Sequence, residues 1–237
     1  DNSILYHAAQ SMPHSTSGYS IRTHGLVTAI RKSGWNAEVH LRHGYPLDRS
    51  DFRGNEVLAK EEIDGTPYRF HPDSENQYAN LTNYTEVFNF SQLEEYQGAA
   101  VRTLMNQAKE TKPQILHSAS NFVVGLAGAE AAKRLGIPSV YEIRGFWHLT
   151  QATKRLGYEA SDHYNLSERL EFEAARNSDH VFTITHALRD ILLENGIEPE
   201  KVSVLPNAVD PERFDIAPRD AELEDELGYE GKVVIGY

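Results

Sequence analysis

The chain has 237 residues, of which 40% are hydrophobic, and it carries a formal net charge of −12 at pH 7. This length and apolar content are enough for one large domain, or for one domain and part of a second. The acidic balance argues against nucleic-acid binding, which requires clustered Lys and Arg side chains, and no apolar run approaches the ~20 residues that span a membrane.

Cysteine is absent from the sequence. Secreted proteins of this size commonly carry disulfides, so we expect a cytoplasmic protein. The negative charge disfavours tight binding to an anionic lipid surface, but it leaves a peripheral association with a membrane open.

The first part of the chain alternates between strand and helix patterns. Residues 19–33 repeat apolar side chains at a helical period, and Gly34 marks the end of that helix. The other elements predicted here are strands at 4–8 and 36–41, a hairpin over 57–70 that turns at Asp64-Gly65, and a long surface loop over 71–90.

The middle of the chain continues the alternation. Ser91 and Glu94 form a capping box, which predicts a helix over 90–110. Gly136, with Pro138 just beyond it, ends a second helix. The other elements predicted here are strands at 113–117, 139–143, 180–184 and 201–205, and helices at 121–136, 162–177 and 186–195.

The last residues differ from the rest. A short helix over 221–228 lies in an acidic segment, and an apolar strand over 232–236 follows it. No crossover helix places that strand in the preceding sheet, so it resembles the first strand of another domain. We therefore predict one domain over residues 1–217, and a linker with the start of a second domain over 218–237.

Strands and helices joined by short connections predict a Rossmann-like α/β fold, in which a doubly wound parallel sheet carries helices on both faces. Ligands of such folds bind at the carboxyl ends of the strands. The positions where we expect functional residues are therefore 9–19, 117–121, 144–148, 185–186 and 206–210.

Gly18 begins the helix that follows the first strand. Backbone amides at a helix N-terminus point outward, and the helix dipole favours an anion there. An ordinary loop glycine is the alternative. Gly125 and Gly128 resemble part of a dinucleotide fingerprint, but both fall inside a helix pattern and the full motif is missing, which disfavours an NAD site.

Two further strand ends carry polar side chains. His117 ends one strand and is either a ligand contact or a structural histidine. Ser118, Ser120 and Asn121 follow it, and they suit either sugar hydroxyls or helix capping. Arg144 ends the next strand beside Trp147, where it suits phosphate or carboxylate capture; a salt bridge to Glu142 is the alternative.

The sequence lacks the spacings of metal sites and of serine hydrolases. We find no Cys/His ligand pattern, no His-Glu-x-x-His and no Gly-x-Ser-x-Gly. We therefore expect neither a bound metal nor a cofactor.

Several separated segments together resemble one family, the family 4 retaining glycosyltransferases of the GT-B fold. The first is similar to the opening loop and helix of these enzymes, the next two to the middle and the closing segment of their amino-terminal domain, and the last to the first strand of their second domain. These segments are SGYSIRTHGLVTAIRKSGWNAEVHL, PQILHSASNFVVGLAGAEAAKRLGIPSVYEIRGFW, SDHVFTITHALRDILLENGIEPEKVSVLPNAVDPERF and KVVIGY.

The resemblance implies one half of a two-domain enzyme of polysaccharide biosynthesis. The amino-terminal domain holds the acceptor, which is a glycan, a lipid-linked molecule or a small molecule, and the carboxyl-terminal domain holds the nucleotide-sugar donor. Transfer then proceeds with retention and without a metal. The implied site residues are His117 and Arg144 as catalytic residues, Gly18, Tyr19, Ser118, Ser120 and Asn207 at the donor phosphate or sugar, and Arg22 and Trp147 at the acceptor.

Three positions depart from the family's pattern. Ser17-Gly18 stands where members often have two glycines, and His117-Ser118-Ala119 stands where many have His-x-His. Arg144 replaces a histidine that many members carry. We therefore expect the donor sugar to be handled differently here: the contact of the second histidine is either missing or replaced by His117, Ser118 or Ser120.

The donor half is not part of this sequence, so we expect the chain to be nearly inactive alone. Its partner would be a carboxyl-terminal domain in cis or a second subunit in trans. A non-catalytic Rossmann-like module that binds a sugar, a nucleotide or a protein is the alternative. A nucleotide-dependent epimerase or dehydrogenase is disfavoured, because both the glycine fingerprint and a Tyr-x-x-x-Lys pair are missing.

Overall fold

The computed structural model describes residues 2–54, 56–73, 90–209, 211 and 218–235, and the backbone alone of residue 90. The chain divides into two compact units, Asp1–Pro206 and Asn207–Tyr237. The predicted boundary between residues 217 and 218 falls inside the second unit and stays a prediction.

The first unit contains an eight-stranded sheet and six helices in the described ranges. In its first part these elements are β1 (Ser3–Ala8), α1 (Gly18–Lys32), β2 (Asn36–Leu41), β3 (Lys60–Ile63) and β4 (Thr66–Arg69). The following elements are α2 (Phe90–Thr111), β5 (Ile115–Ala119), α3 (Phe122–Leu135), β6 (Ser139–Ile143), α4 (Trp147–Ala152), α5 (Asp162–Asn177), β7 (His180–Thr183), α6 (His186–Glu194) and β8 (Val202–Val204).

The strands lie in the order β3-β4-β2-β1-β5-β6-β7-β8. Every neighbouring pair is parallel except β3 and β4. The chain runs outward from β1 in one direction and, from β5, in the other. This arrangement confirms the predicted doubly wound fold and puts its topological switch point between β1 and β5, where ligands of such sheets bind.

Side chains alternate between the two faces of the sheet, and each face has its own core. Leu5 belongs to a cluster with residues of α2, α3, α5 and α6. Tyr6, the next residue, belongs to a second cluster with α1 and the strands β2 and β4. Helices therefore cover both faces, as predicted. None of the helices in the described ranges has the length and apolar composition that a membrane span requires.

Local signals mark most element ends correctly. The predicted hairpin is β3-β4, and Asp64 and Gly65 turn it with φ of 49° and 72°, as a two-residue turn with positive φ requires. Helix α3 begins at the cap Asn121, whose side chain accepts from the Val123 amide, and ends at Gly136 with φ of 67°.

Several predictions need correction. Helix α2 includes Phe90, so Ser91 lies inside it and is not its cap. Strand β5 ends at Ala119 rather than 117, because β1 and β6 pair with it through Ser118 and Ala119. Helix α4 was not predicted at all. Of the predicted loop over 71–90, residues 74–89 lie outside the described residues.

The second unit contains a short helix, α7 (Ala221–Glu226), which begins at the cap Asp220. Residues 232–235 follow it without forming a strand. The predicted strand over 232–236 is therefore wrong for the described part, since an apolar run forms a strand only where another strand offers hydrogen bonds.

Gly125 and Gly128 lie inside α3, where the helix approaches the sheet closely. A Cβ on Gly125 would lie 2.6 Å from the Tyr141 ring, and one on Gly128 would lie 1.9 Å from the Ser118 hydroxyl oxygen. These glycines serve helix-to-sheet packing, which accounts for a motif that resembled a nucleotide fingerprint.

We expect Gly125→Ala to lower the free energy of unfolding by about 1–2 kcal/mol, because the added methyl group overpacks the rigid Tyr141 ring. Gly25→Ala is the matched control, since Gly25 is exposed within α1 and no atom outside its neighbours and its own helix backbone lies within 4 Å of the added Cβ. Higher helix propensity should raise its stability by roughly 0.5–1 kcal/mol. Urea unfolding measures both changes, and equal gains in the two variants would contradict the packing argument.

Candidate functional site

The candidate site lies at the switch point, where β1, β5 and β6 end and α1 begins. Ser17 caps α1 and its hydroxyl accepts from the Ser20 amide at 3.4 Å. The amides of Gly18 and Tyr19 precede the first intrahelical bond, so they are donors for an acceptor from outside the helix. Gly18 is exposed, and apart from its chain neighbours and its own helix backbone no atom lies within 4 Å of a Cβ placed on it, so this turn is open to solvent.

A buried carboxylate, Glu142, lies beneath this helix start. Its side chain is fully buried on the α1 face of β6. Oε1 accepts from Arg22 Nε at 2.7 Å and from Arg144 Nε at 3.0 Å. Oε2 accepts from the Tyr6 hydroxyl at 2.5 Å and lies 3.1 Å from His117 Nε2. Four side chains, from β1, α1, β5 and the residue after β6, thus meet on one carboxylate.

The charge state of Glu142 follows from these partners. Burial alone would raise its pKa, but the hydrogen bond to His117 and the charge of Arg144 outweigh burial and hold the pKa well below its usual range. The carboxylate is therefore ionised at neutral pH, and the two guanidinium groups that donate to it, which are nearly as buried, share its single negative charge.

Arg144 uses all of its guanidinium nitrogens inside the protein. Nη1 donates to the Tyr19 carbonyl and to Thr23 Oγ1, both at 2.8 Å, and Nη2 donates to the Tyr6 hydroxyl at 2.7 Å. The guanidinium also stacks on the Tyr19 ring, with 4.3 Å between its central carbon and the ring centroid. Arg144 therefore ties the first turn of α1 to β6, as the salt-bridge alternative to ligand capture predicted.

Tyr19 fixes the same turn from the other side. Its hydroxyl donates to the carbonyl oxygens of Ala119 and Ser120, at 2.5 and 3.0 Å, and accepts from the Ala9 amide at 3.0 Å. Ser120 in turn accepts from the Arg144 amide at 2.7 Å. The loops after β1 and β5 and the start of α1 are thus joined by one tyrosine and one arginine.

Arg22 extends the network to the far edge of the sheet. Its Nη2 donates to the Leu205 carbonyl at 2.8 Å, and its Nη1 donates to the Pro206 carbonyl at 2.9 Å. The side chain is 10% exposed. These hydrogen bonds connect α1 to the end of β8, so Arg22 has a structural role.

The structure brings six of the predicted site residues together. Ser118 is buried on the opposite face, beneath Gly128, so the prediction that it contacts a ligand is wrong. Trp147 begins α4 and is partly buried, and Asn207 lies in the second compact unit. The residues that meet around Glu142 and the α1 start are Gly18, Tyr19, Arg22, His117, Ser120 and Arg144.

Sequence reasoning missed Glu142 as the centre of the network and Tyr6 altogether. An acid in the apolar strand SVYEI was the available signal, because a carboxylate in a buried strand needs partners. Within the described ranges, no group of three or more His, Asp and Glu side chains is placed to hold a metal ion.

A second buried carboxyl group, Glu171 of α5, lies at the start of α3. It accepts from the Phe122 amide at 2.9 Å and from the Tyr141 hydroxyl. Burial raises its pKa to about 7, although both hydrogen bonds act in the opposite direction. The turn between β5 and α3 is thus anchored by a group that titrates near neutral pH.

Comparison with known proteins adds a family to this geometry. The model of the family described as Glycosyltransferase Family 4 matches residues 16–213. By sequence, no curated protein matches the chain significantly.

Three solved structures share the fold. A sucrose-phosphate synthase chain from Thermosynechococcus elongatus is 12% identical with a TM-score of 0.57, and the match covers 97% of this chain and 98% of that one. HepE from Anabaena, in complex with UDP and glucose, is 17% identical with a TM-score of 0.58, over 95% and 50% of the two chains. The UDP-GlcNAc 2-epimerase of Methanocaldococcus jannaschii, in complex with UDP-GlcNAc and UDP, is 15% identical with a TM-score of 0.51, over 86% and 46%.

These identities establish the fold alone. Because an epimerase shares it, the fold does not separate a transferase from an epimerase, whereas the family match favours the transferase. The chain spans about half the length of HepE and of the epimerase.

We expect Glu142→Gln to lower the free energy of unfolding by about 3 kcal/mol, because it leaves two buried guanidinium groups without a counter-charge. Glu130→Gln is the control, since Glu130 pairs with Arg134 on the exposed face of α3 and should change stability by less than about 0.5 kcal/mol. Urea unfolding at pH 7 measures both. Equal effects of the two substitutions would show that Glu142 is not the hub.

We expect the effect of Glu171→Gln on the free energy of unfolding to depend on pH. The folded-state pKa is raised, so the wild-type protein loses stability as pH rises from about 4.5 to above 7, while glutamine does not titrate. The stability difference between variant and wild type should therefore grow in favour of the variant by roughly 3 kcal/mol between pH 5 and pH 8. Unfolding at several pH values measures it, with exposed Glu173→Gln as control; a difference independent of pH would contradict the assignment.

Proposed function

The chain belongs to Glycosyltransferase Family 4, and we propose that it forms the acceptor side of an enzyme that transfers a sugar from a nucleotide-sugar donor with retention. The observation that carries this proposal is the start of α1 at the switch point. Two outward amides there are held in place by Arg144 and Tyr19. Such a turn suits the diphosphate of a donor.

Two structures with the same fold support the choice of ligand. HepE was solved with UDP and glucose, and the Methanocaldococcus jannaschii epimerase with UDP-GlcNAc and UDP. Both share the fold with this chain. By analogy, the diphosphate of a nucleotide sugar is the anion that we propose for the Gly18 and Tyr19 amides.

The roles that we propose for the arginines differ from those implied by the family resemblance. Arg144 and Arg22 donate their hydrogen bonds to Glu142, to carbonyl oxygens and to hydroxyl groups. We assign both as positioning residues, which set the orientation of the α1 amides without touching the donor. His117 contacts Glu142 and acts in the same way.

In this proposal the chain has one chemical task, which is to stabilise the charge on the departing diphosphate. In transfer, the bond between the anomeric carbon and the diphosphate oxygen breaks, and negative charge grows on the diphosphate. Amides that are already oriented, together with the helix dipole, stabilise that charge without reorganising. Ser120 and Trp147 remain our proposed contacts for the sugar and the acceptor, and Asn207 for the donor.

Most of the donor contacts are proposed to come from a second half. The chain spans half of HepE, which bound both UDP and glucose. A further domain in cis or a partner subunit in trans would supply the remaining groups. The chain alone would then bind the donor weakly without transferring its sugar to a glycan, a lipid-linked acceptor or a small molecule.

We expect Gly18→Glu to weaken UDP binding at least tenfold, because a carboxylate at the first helical position competes with the diphosphate for the amides. The same substitution should leave folding intact, since a negative charge at a helix N-terminus is worth about 0.3–1 kcal/mol. Titration calorimetry with UDP measures the affinity.

Gly25→Glu is the matched control for this measurement. It adds the same charge on the same helix, roughly 10 Å further along it, and screening at physiological salt should keep its effect below about twofold. Equal affinities in the two variants would contradict the proposed anion site.

A further inference from the structure

The loop that leads into α1 is held by the loop that follows β2. Tyr45 donates its hydroxyl to the Ser11 carbonyl at 2.7 Å and accepts from the Ser11 amide at 3.3 Å. The Phe52 ring of the same loop meets the His14 ring edge-on at 5.3 Å between centroids, and Phe70, which follows β4, meets it at 5.2 Å. The loop after β2 therefore forms one wall beside the proposed anion site.

Arg49 of this wall is connected to the cap of α1 by two hydrogen bonds. Its Nη1 donates to Gln10 Oε1 at 2.8 Å, and Gln10 Nε2 donates to Ser17 Oγ at 3.2 Å. Ser17 is the residue that caps α1. A guanidinium group thus lies one glutamine side chain away from the cap beside the outward amides.

The other edge of the Arg49 guanidinium binds a carboxylate that another anion could replace. Nε and Nη2 donate as a fork to the two carboxylate oxygens of Asp51, at 2.8 and 2.5 Å. Asp51 is 66% exposed and Arg49 is 21% exposed. Ion pairs this close to solvent contribute little net stability, so a stronger acceptor can displace the aspartate at small cost.

Arg22 and Arg144 offer no such exchange. Both donate to the fully buried Glu142, and removing either would take a charge-assisted hydrogen bond from a buried carboxylate. A bound diphosphate nevertheless carries negative charge that two amides balance only in part. Phosphate oxygens accept from the same arginine fork that Asp51 occupies, and they do so with charge-assisted bonds.

We propose that Arg49 is a further diphosphate-binding residue, which releases Asp51 when the donor arrives and keeps its hydrogen bond to Gln10. The inference rests on the proposed function, because it needs an anion at the start of α1. It assigns part of the loop between β2 and β3 to the donor, a role that the sequence did not indicate.

Pyrophosphate and UDP are the probes for the test, titrated into the whole chain by NMR and calorimetry. Arg49→Gln should weaken binding of both about tenfold, because it removes a charge-assisted fork. Arg53→Gln is the matched control, since Arg53 lies in the same loop and, among the described residues, donates to the carbonyl oxygens of Ser50 and Phe52. Its effect should stay below about twofold.

Asp51→Asn should change the affinity for pyrophosphate in the opposite direction. Weakening the competing pair should tighten pyrophosphate binding about two- to fivefold. In the wild-type chain, the Nε–Hε signal of Arg49 should shift on titration while that of Arg53 stays in place. Loss of affinity in Arg49→Gln without a gain in Asp51→Asn would overturn the exchange.

The outcomes separate this inference from the proposed function. If Gly18→Glu abolishes binding while Arg49→Gln binds as tightly as wild type, the anion site stands and the role of Arg49 is overturned. If the wild-type chain binds neither probe at millimolar concentration, both are overturned. Thermal melting of each variant checks its fold, and an exposed pair such as Arg49–Asp51 should change stability by less than about 1 kcal/mol.

Discussion

The ionised carboxylate of Glu142 is the constraint on which the rest of the site depends. A buried charge is tolerated only when partners satisfy it, and here Tyr6, Arg22, His117 and Arg144 approach it from β1, α1, β5 and the end of β6. Each partner then reaches a second element, so the carboxylate fixes how the helix start and three strand ends lie relative to one another. The orientation of the Gly18 and Tyr19 amides is a consequence of this arrangement.

The arginines on this face of the sheet differ in whether their acidic partner is buried or exposed. Arg22 and Arg144 donate to Glu142 and brace the backbone, so their hydrogen-bond donors are occupied within the protein. Arg49 pairs with a solvent-exposed aspartate, so its charge is available to a ligand. The same residue type thus serves stability in the buried network and, in our proposal, binding at the surface. Burial of the acidic partner is the physical difference between the two.

The fold followed from local patterns, whereas much of the site did not. Apolar periodicity, Gly136 and the Asp64-Gly65 turn are local signals, and they located strands, helices and the hairpin, while the alternation of elements predicted the doubly wound sheet. Arg144 was correctly placed at a strand end, but whether it meets a ligand or Glu142 depends on which neighbours the sheet brings beside it. Ser118 failed for a similar reason, because one residue along a strand changes the face. Nothing local to Arg49 indicated its connection to Ser17, which depends on the packing of two loops distant in sequence.

The central claim is that the buried network positions the amides and does not itself bind the diphosphate. A crystal structure of the chain with bound UDP tests it most directly. Our account predicts diphosphate oxygens within hydrogen-bond distance of the Gly18 and Tyr19 amides, with Arg22 and Arg144 still bound to Glu142. A structure in which Arg144 has left Glu142 to bind the phosphate, or in which UDP lies away from the start of α1, would contradict it.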